Sequence, residues 1–255
     1  MSILIGTSGY SYEDWKGNYY PTDINKSDML KFYSKNFKTT EINFTYYRMP
    51  NPYIINRMAH KVPDDFVFSV KANSLMTHER KAKSKDYNGF IKGISPLIER
   101  DQLACVLAQF PWSFKLDRYN LDYLKHLRDN MIDIPLVIEF RNTSWINDET
   151  FDFLEQNELG FCCVDQPKLR GLIPPVAKIT SDIAYVRFHG RNSQKWWHHK
   201  KAYERYDYEY KQDELLEWVP KIKELEEKAI KTMIYFNNHY KSKAVKAANL
   251  LLSLL

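Results

Sequence analysis

Eight short apolar runs, each separated from the next by a longer and more polar stretch, set the strongest limit on what this chain can fold into. They are Ile3 to Ser8, Thr40 to Phe44, Phe66 to Lys71, Leu103 to Phe110, Leu136 to Arg141, Phe161 to Asp165, Ala184 to His189 and Thr232 to Asn237. Most are rich in Val, Ile and Phe and lack internal proline, as strands buried on both faces are. Apolar residues at helical spacing fill most of the intervals. Met29, Leu30, Phe32 and Tyr33 follow Ser27, a predicted N-cap. Pro52 opens a second helix with Ile54, Ile55 and Met58. Ile91, Ile94, Leu97 and Ile98 form a face that Gly93 and Pro96 are expected to interrupt. Leu121, Leu124 and Leu127 make the next stripe, then Phe151 and Leu154. A stripe from Leu215 to Leu225 is expected to kink at Pro220, and Ala244 to Leu255 closes the chain. The sixth interval, Gln166 to Asp182, holds Pro167, Pro174 and Pro175 and is expected to carry little helix. Strand and helix alternating in this way predict an α/β protein, a single (β/α)8 TIM-type barrel. The 255 residues match the length of about 250 that one such barrel needs, and no linker divides residues 1–255.

Polar residues recur near the C-terminal ends of these runs. Glu41 and Asn43 are two apart, as are Lys71 and Ser69, Glu139 and Arg141, and Arg187 and His189. Residues two apart on a strand share a face, and the intervening Ile42, Val70, Phe140 and Phe188 are apolar. Gln109, Asp165 and Asn237 stand at corresponding ends. The pattern predicts apolar side chains turned to the helices and polar ones turned inward at the barrel mouth, where barrel enzymes place their sites. A structural ion network is the alternative reading of the same set.

Glu41, Glu139 and Asp165 supply three negative charges, and Lys71, Arg141 and Arg187 three positive ones. A divalent-metal cage wants carboxylates and histidines without so many cations beside them. The set fits a bound phosphate or carboxylate better, with the carboxylates holding the cations in place. A divalent metal stays open as a second reading, since His189 and His239 accompany the carboxylates. Aromatic and basic residues alternate in the segments after the strands, as in Tyr10 to Pro21 and Trp196 to Lys201, which suits sugars, bases or a self-packed lid. The overall charge of +5 is too mild to demand nucleic acid. The three cysteines, Cys105, Cys162 and Cys163, lie in apolar runs and form no C-x-x-C pair. They read as reduced thiols of a cytoplasmic protein. The first residues lack a signal-peptide pattern, and no apolar run is long enough to span a membrane.

Several segments together resemble one known family. They are Gly6-Thr7-Ser8-Gly9-Tyr10-Ser11-Tyr12 with Trp15 and Tyr20-Pro21, then Glu41-Ile42-Asn43-Phe44-Thr45-Tyr46-Tyr47-Arg48-Met49-Pro50. Phe68-Ser69-Val70-Lys71-Ala72 with Thr77-His78 follows, then Ala108-Gln109-Phe110-Pro111 and Glu139-Phe140-Arg141 with Ser144-Trp145. Val186-Arg187-Phe188-His189-Gly190-Arg191 and Tyr235-Phe236-Asn237-Asn238 complete the set. In order and over nearly the whole chain, they resemble the YecE-like family, domain of unknown function 72. The resemblance implies a TIM-type barrel related in shape to sugar isomerases and apurinic-site endonucleases, and no established activity. Carried over by motif, its positions of interest are Glu41, Asn43, Lys71, His78, Gln109, Glu139, Arg141, Arg187, His189 and Asn237. Tyr10 and Tyr46 stand where the family often has Trp and Phe, and Ala247-Ala248 replaces an expected Asn-Ala pair.

The expectation is an enzyme acting by acid/base chemistry on a small anionic, phosphorylated or sugar-like substrate. Glu41, Glu139 and His189 are the predicted proton carriers. Asn43, Lys71, His78, Gln109, Arg141, Asp165, Arg187 and Asn237 are the predicted substrate contacts. A metal-dependent phosphodiester hydrolase of nucleic acid and a non-catalytic nucleic-acid or carbohydrate binder are the alternatives. The sequence does not fix the oligomeric state.

Overall fold

The computed structural model describes residues 2–255. Eight parallel strands close into a barrel in chain order, β1 to β8, with β8 pairing back onto β1. They are Ser2–Ser8, Thr39–Ile42, Val67–Lys71, Leu103–Gln109, Leu136–Glu139, Leu159–Asp165, Ile183–Phe188 and Lys231–Phe236. The helices outside them are α1 (Met29–Tyr33), α2 (Pro52–Ala59), α3 (Ser74–Thr77), α4 (Ser84–Glu99) and α5 (Arg118–Asp129). After them come α6 (Asp148–Gln156), α7 (Gln212–Leu216), α8 (Val219–Lys228) and α9 (Lys243–Leu254). No helix among the described residues is long and apolar enough to cross a membrane.

The local chemistry explains most boundaries. Asn51, Asp117 and Asn147 accept backbone N–H groups at the starts of α2, α5 and α6, and Pro52 takes the first position of α2. Pro220 stands second in α8, in its first turn, so the stripe from Leu215 to Leu225 is two helices and not one kinked one. Ser27 does not cap α1; Asp28 precedes the helix, and the Ser27 carbonyl accepts a bond from Lys61 Nζ. Nor do Gly93 and Pro96 interrupt α4. The helix runs through both, and Gly93 is where it presses on the Pro50 backbone: an added Cβ would lie 2.4 Å from the Pro50 carbonyl oxygen. Between β6 and β7 there is no helix, as the prolines predict.

Two cores result. The outer one lies between strands and helices, where Phe114, Phe140 and Trp145 stack in near-parallel planes. The inner one fills the barrel and is polar to an unusual degree. Next to its charged layer Tyr235 Oη meets Thr39 Oγ1 at 2.5 Å and Ser69 Oγ at 3.0 Å.

Candidate active site at the barrel mouth

Arg187 lies at the centre of that charged layer, on β7, and is 2% exposed. Its Nη1 donates to Glu139 Oε2 at 2.5 Å, and its Nη2 to Glu41 Oε1 at 2.7 Å and Ser8 Oγ at 3.2 Å. Glu41 Oε2 accepts from Tyr185 Oη at 2.8 Å. Glu139 Oε1 lies 2.6 Å from Arg141 Nε and 3.1 Å from His189 Nε2. All four carboxylate oxygens of this layer are therefore engaged. Burial pushes the Glu139 carboxyl upward, but Arg141, Arg187 and His189 together hold it well below the usual carboxylate range.

This arrangement changes the roles expected of three residues. Glu41 and Glu139 are wholly buried and committed to cations. They hold the arginines in place and present no free oxygen to a substrate. His189 is also wholly buried. Desolvation, helped by the neighbouring Arg141, lowers its pKa to about 3, so the ring is neutral. Its Nε2–H points at Glu139, and its Nδ1 accepts from Asn237 Nδ2 at 3.1 Å. With both nitrogens occupied, His189 presents no free ring nitrogen to the mouth.

Asp165 is the fourth departure. It lies on the outer face of β6, where it accepts bonds from Arg191, Tyr210 Oη at 2.6 Å and Trp218 Nε1 at 2.7 Å. The inward residue is its neighbour Gln166, whose Oε1 faces Arg141 Nη1 at 3.4 Å and whose Nε2 donates to the Ile173 carbonyl. Asp165 instead anchors the root of the long segment after β7. That segment returns over the mouth through a 3-10 turn, Ala202–Tyr206.

A two-lobed cleft opens above the charged layer. One lobe, of about 380 Å³, is walled by Tyr46, His78, Trp112, Trp196, Arg205 and Tyr206. The other, of about 290 Å³, is walled by Tyr12, Asn43, Arg187, Asn237 and His239. Lys71, Gln109 and Arg141 line both, as do Tyr46 and Tyr206. The structure thus brings Asn43, Lys71, His78, Gln109, Arg141, Arg187 and Asn237 to one mouth. Lys71 Nζ donates to Gln109 Oε1 at 2.8 Å and sits 4.7 Å from the centre of the Tyr46 ring. Desolvation, reinforced by the charge of Arg187, lowers its pKa to about 8. Desolvation and the nearby Lys71 lower His78 to about 4. Asn43 Oδ1 is shielded from solvent and has no hydrogen-bond partner.

Tyr12, Tyr46, Arg205, Tyr206 and Gln166 were not singled out by strand parity, because all lie beyond the strand ends. The aromatic spacing marked the segments but not the side chains. In the first segment Trp15 and Tyr20 pack inward, leaving Tyr12, stacked on His239 at 4.5 Å, to face the cleft. Among the described residues no group of three or more His, Cys, Asp and Glu side chains is placed to hold a metal ion.

A family model described as protein of unknown function DUF72 matches residues 4–255. The UPF0759 protein YunF of Bacillus subtilis (strain 168) is 30% identical over 273 residues, spanning 99% of this chain and 94% of YunF. The crystal structure of a DUF72 family protein from Thermotoga maritima MSB8 superposes with a TM-score of 0.92 at 40% identity, covering 100% of this chain and 99% of that one. A DUF72 family protein from Enterococcus faecalis V583 has the same fold, with a TM-score of 0.89 at 24% identity over 100% and 95% of the two chains.

Proposed function

The chain belongs to the DUF72 family, and we propose that it is an enzyme acting on a small anionic, phosphorylated or sugar-like substrate at the barrel mouth. One observation carries this reading. Lys71, Arg141 and Arg187 border the cleft, while Glu41 and Glu139, the carboxylates paired with the two arginines, have every oxygen engaged. With His189 neutral, the mouth retains a positive charge, and Arg205 adds another from the covering segment. Such a surface attracts an anion that carries several acceptor oxygens. Lobes of about 380 and 290 Å³ match a small metabolite. Tyr46, Trp112, Trp196 and Tyr206 supply the flat faces on which sugar rings pack.

The acid/base role passes from the buried carboxylates to Lys71 and His78, which face the cleft and whose pKa values are shifted toward neutral forms. A resident divalent metal fits this donor set less well, because the carboxylates would have to leave their arginines to bind it. Titration calorimetry with inorganic phosphate and a panel of sugar phosphates tests the reading. Arg141→Ala should weaken binding roughly tenfold to a hundredfold, the loss of one or two charge-assisted hydrogen bonds. Equal affinity in wild type and variant, or none in either, overturns it.

One observation favours a second reading, a single-stranded nucleic acid laid across the rim. Trp112 and Trp197 are exposed and meet edge to face at 6.0 Å, with Lys115 Nζ 5.0 Å above the Trp112 ring. Binding of an oligonucleotide that weakens steeply with salt and is lost in Trp112→Ala supports it.

A further inference from the structure

We propose that Lys71 is a nucleophilic amine that forms an imine with the carbonyl carbon of an aldehyde or ketone carrying an anionic tail. The inference rests on the anion-binding reading above and names the reacting group within the same cleft.

Four observations support it. First, the charged layer treats its cations unequally. Arg141 and Arg187 each face a carboxylate, whereas Lys71 pairs only with the neutral amide oxygen of Gln109. An ammonium taken out of water beside Arg187, with no carboxylate bonded to it, is driven toward the free amine, the form that attacks carbonyl carbon. The lowering of its pKa to about 8 agrees with that geometry. Second, Lys71 is the last residue of β3 and borders both lobes. A substrate whose anionic end rests on Arg141 in either lobe has its other end within the same small space. Third, the Tyr46 ring is shared: Lys71 Nζ lies 4.7 Å from its centre, and His78 meets it edge to face at 5.0 Å. The two titratable groups of the mouth therefore flank one side chain. His78 Nδ1 lies 3.1 Å from Thr77 Oγ1, and Nε2 is the nitrogen left to exchange protons with a substrate. Fourth, Asn43 Oδ1 is an acceptor with no partner, suited to a substrate hydroxyl.

The step balances without a further reagent. The Lys71 lone pair forms an N–C bond while the carbonyl π bond opens onto oxygen. The two protons of the neutral amine leave with that oxygen as water, and a C=N bond remains. Protonated, this imine draws electrons from the adjacent carbon and makes its proton, or its next C–C bond, labile. Neutral His78 is placed to accept such a proton. The substrate class is a small carbonyl compound with a phosphate or carboxylate at the far end.

The test uses the full chain at pH 8 with glycolaldehyde phosphate as the probe and sodium cyanoborohydride to reduce the imine to a stable secondary amine. Peptide mass spectrometry should find one adduct per chain, on Lys71, at least tenfold above any other lysine, and excess inorganic phosphate should suppress it. Lys71→Met should abolish it, and so should Lys71→Arg, which keeps the cation. Labelling spread over the exposed lysines in wild type, or an undiminished adduct count in Lys71→Arg, overturns the proposal. Two control arms separate the layers of the argument. If inorganic phosphate binds through Arg141 but Lys71 stays unlabelled, the amine proposal fails and the anion pocket stands. If glycolaldehyde without phosphate labels Lys71 as well as the phosphorylated probe does, and phosphate gives no protection, the amine stands and the anion pocket fails.

Discussion

His189→Gln offers the most direct check on the charged layer, because its effect has a sign that depends on pH. In the folded chain His189 is buried and neutral, with its pKa lowered to about 3 by desolvation and by Arg141. In the unfolded chain it titrates near the ordinary value of about 6.5. Below that value the unfolded state takes up a proton that the folded state refuses. The stabilising contribution is therefore complete above about pH 6.5 and is lost as pH falls toward 3. The slope is about 1.4 kcal/mol per pH unit, so roughly 2 kcal/mol disappears between pH 7 and pH 5. Glutamine fills similar space and can still meet Glu139 and Asn237, but it does not titrate. At pH 7 the variant should be less stable than wild type by about 1–3 kcal/mol, the loss of well-formed buried hydrogen bonds. Toward pH 5 that gap should close or reverse. His78 and His239 also have lowered pKa values, but both are present in each protein and cancel in the difference. Urea unfolding at half-unit pH steps gives the quantity directly. A wild-type minus variant difference that stays constant from pH 7 to pH 5 would refute a buried neutral His189.

Other substitutions probe neighbouring parts of the argument. Arg187→Met leaves Glu41 and Glu139 buried without their shared cation and should destabilise the fold by about 3–5 kcal/mol in urea unfolding, with part recovered by adding Glu41→Gln. Asp165→Asn removes the charge that Arg191, Tyr210 and Trp218 converge on. It should cost roughly 2–3 kcal/mol of stability, while phosphate affinity measured by calorimetry changes far less than in Arg141→Ala. Gly190→Ala places a Cβ 2.7 Å from Tyr208 Cβ at a φ of +86°, and should lower stability by about 1–3 kcal/mol in thermal or urea unfolding.

The barrel was legible because its strands carry a simple signal: short apolar runs in which polar residues two apart mark one face. Glu41 with Asn43, and Arg187 with His189, were assigned correctly to the inner face by this rule. The same rule failed at β6. Leu159–Asp165 is buried on both sides, so alternation gives no contrast, and a lone Asp165 has no partner two residues away to fix its direction. Its real partners, Arg191, Tyr210 and Trp218, come from far along the chain. Parity also could not tell a group facing the cleft from one sealed beneath it. Glu139 and Arg141 share a face, yet Glu139 is wholly buried and Arg141 borders the cleft. That difference depends on height along the barrel axis, which strand stagger sets. Helix propensity likewise misses that α4 runs through Gly93, where packing against Pro50 outweighs the local cost of glycine.

The ion layer also bears on how divisible the barrel is. Glu41 belongs to the first four strands, whereas Arg187 and Glu139 belong to the last four. A fragment ending after β4 would carry Glu41 in its interior without Arg187, the cation bonded to it, and a fragment beginning at β5 would hold Arg187 with only one of its two carboxylates. Neither half can close its electrostatics alone. The two halves are thereby tied into one cooperative unit, so this chain should melt in a single transition and resist dissection into self-standing half-barrels.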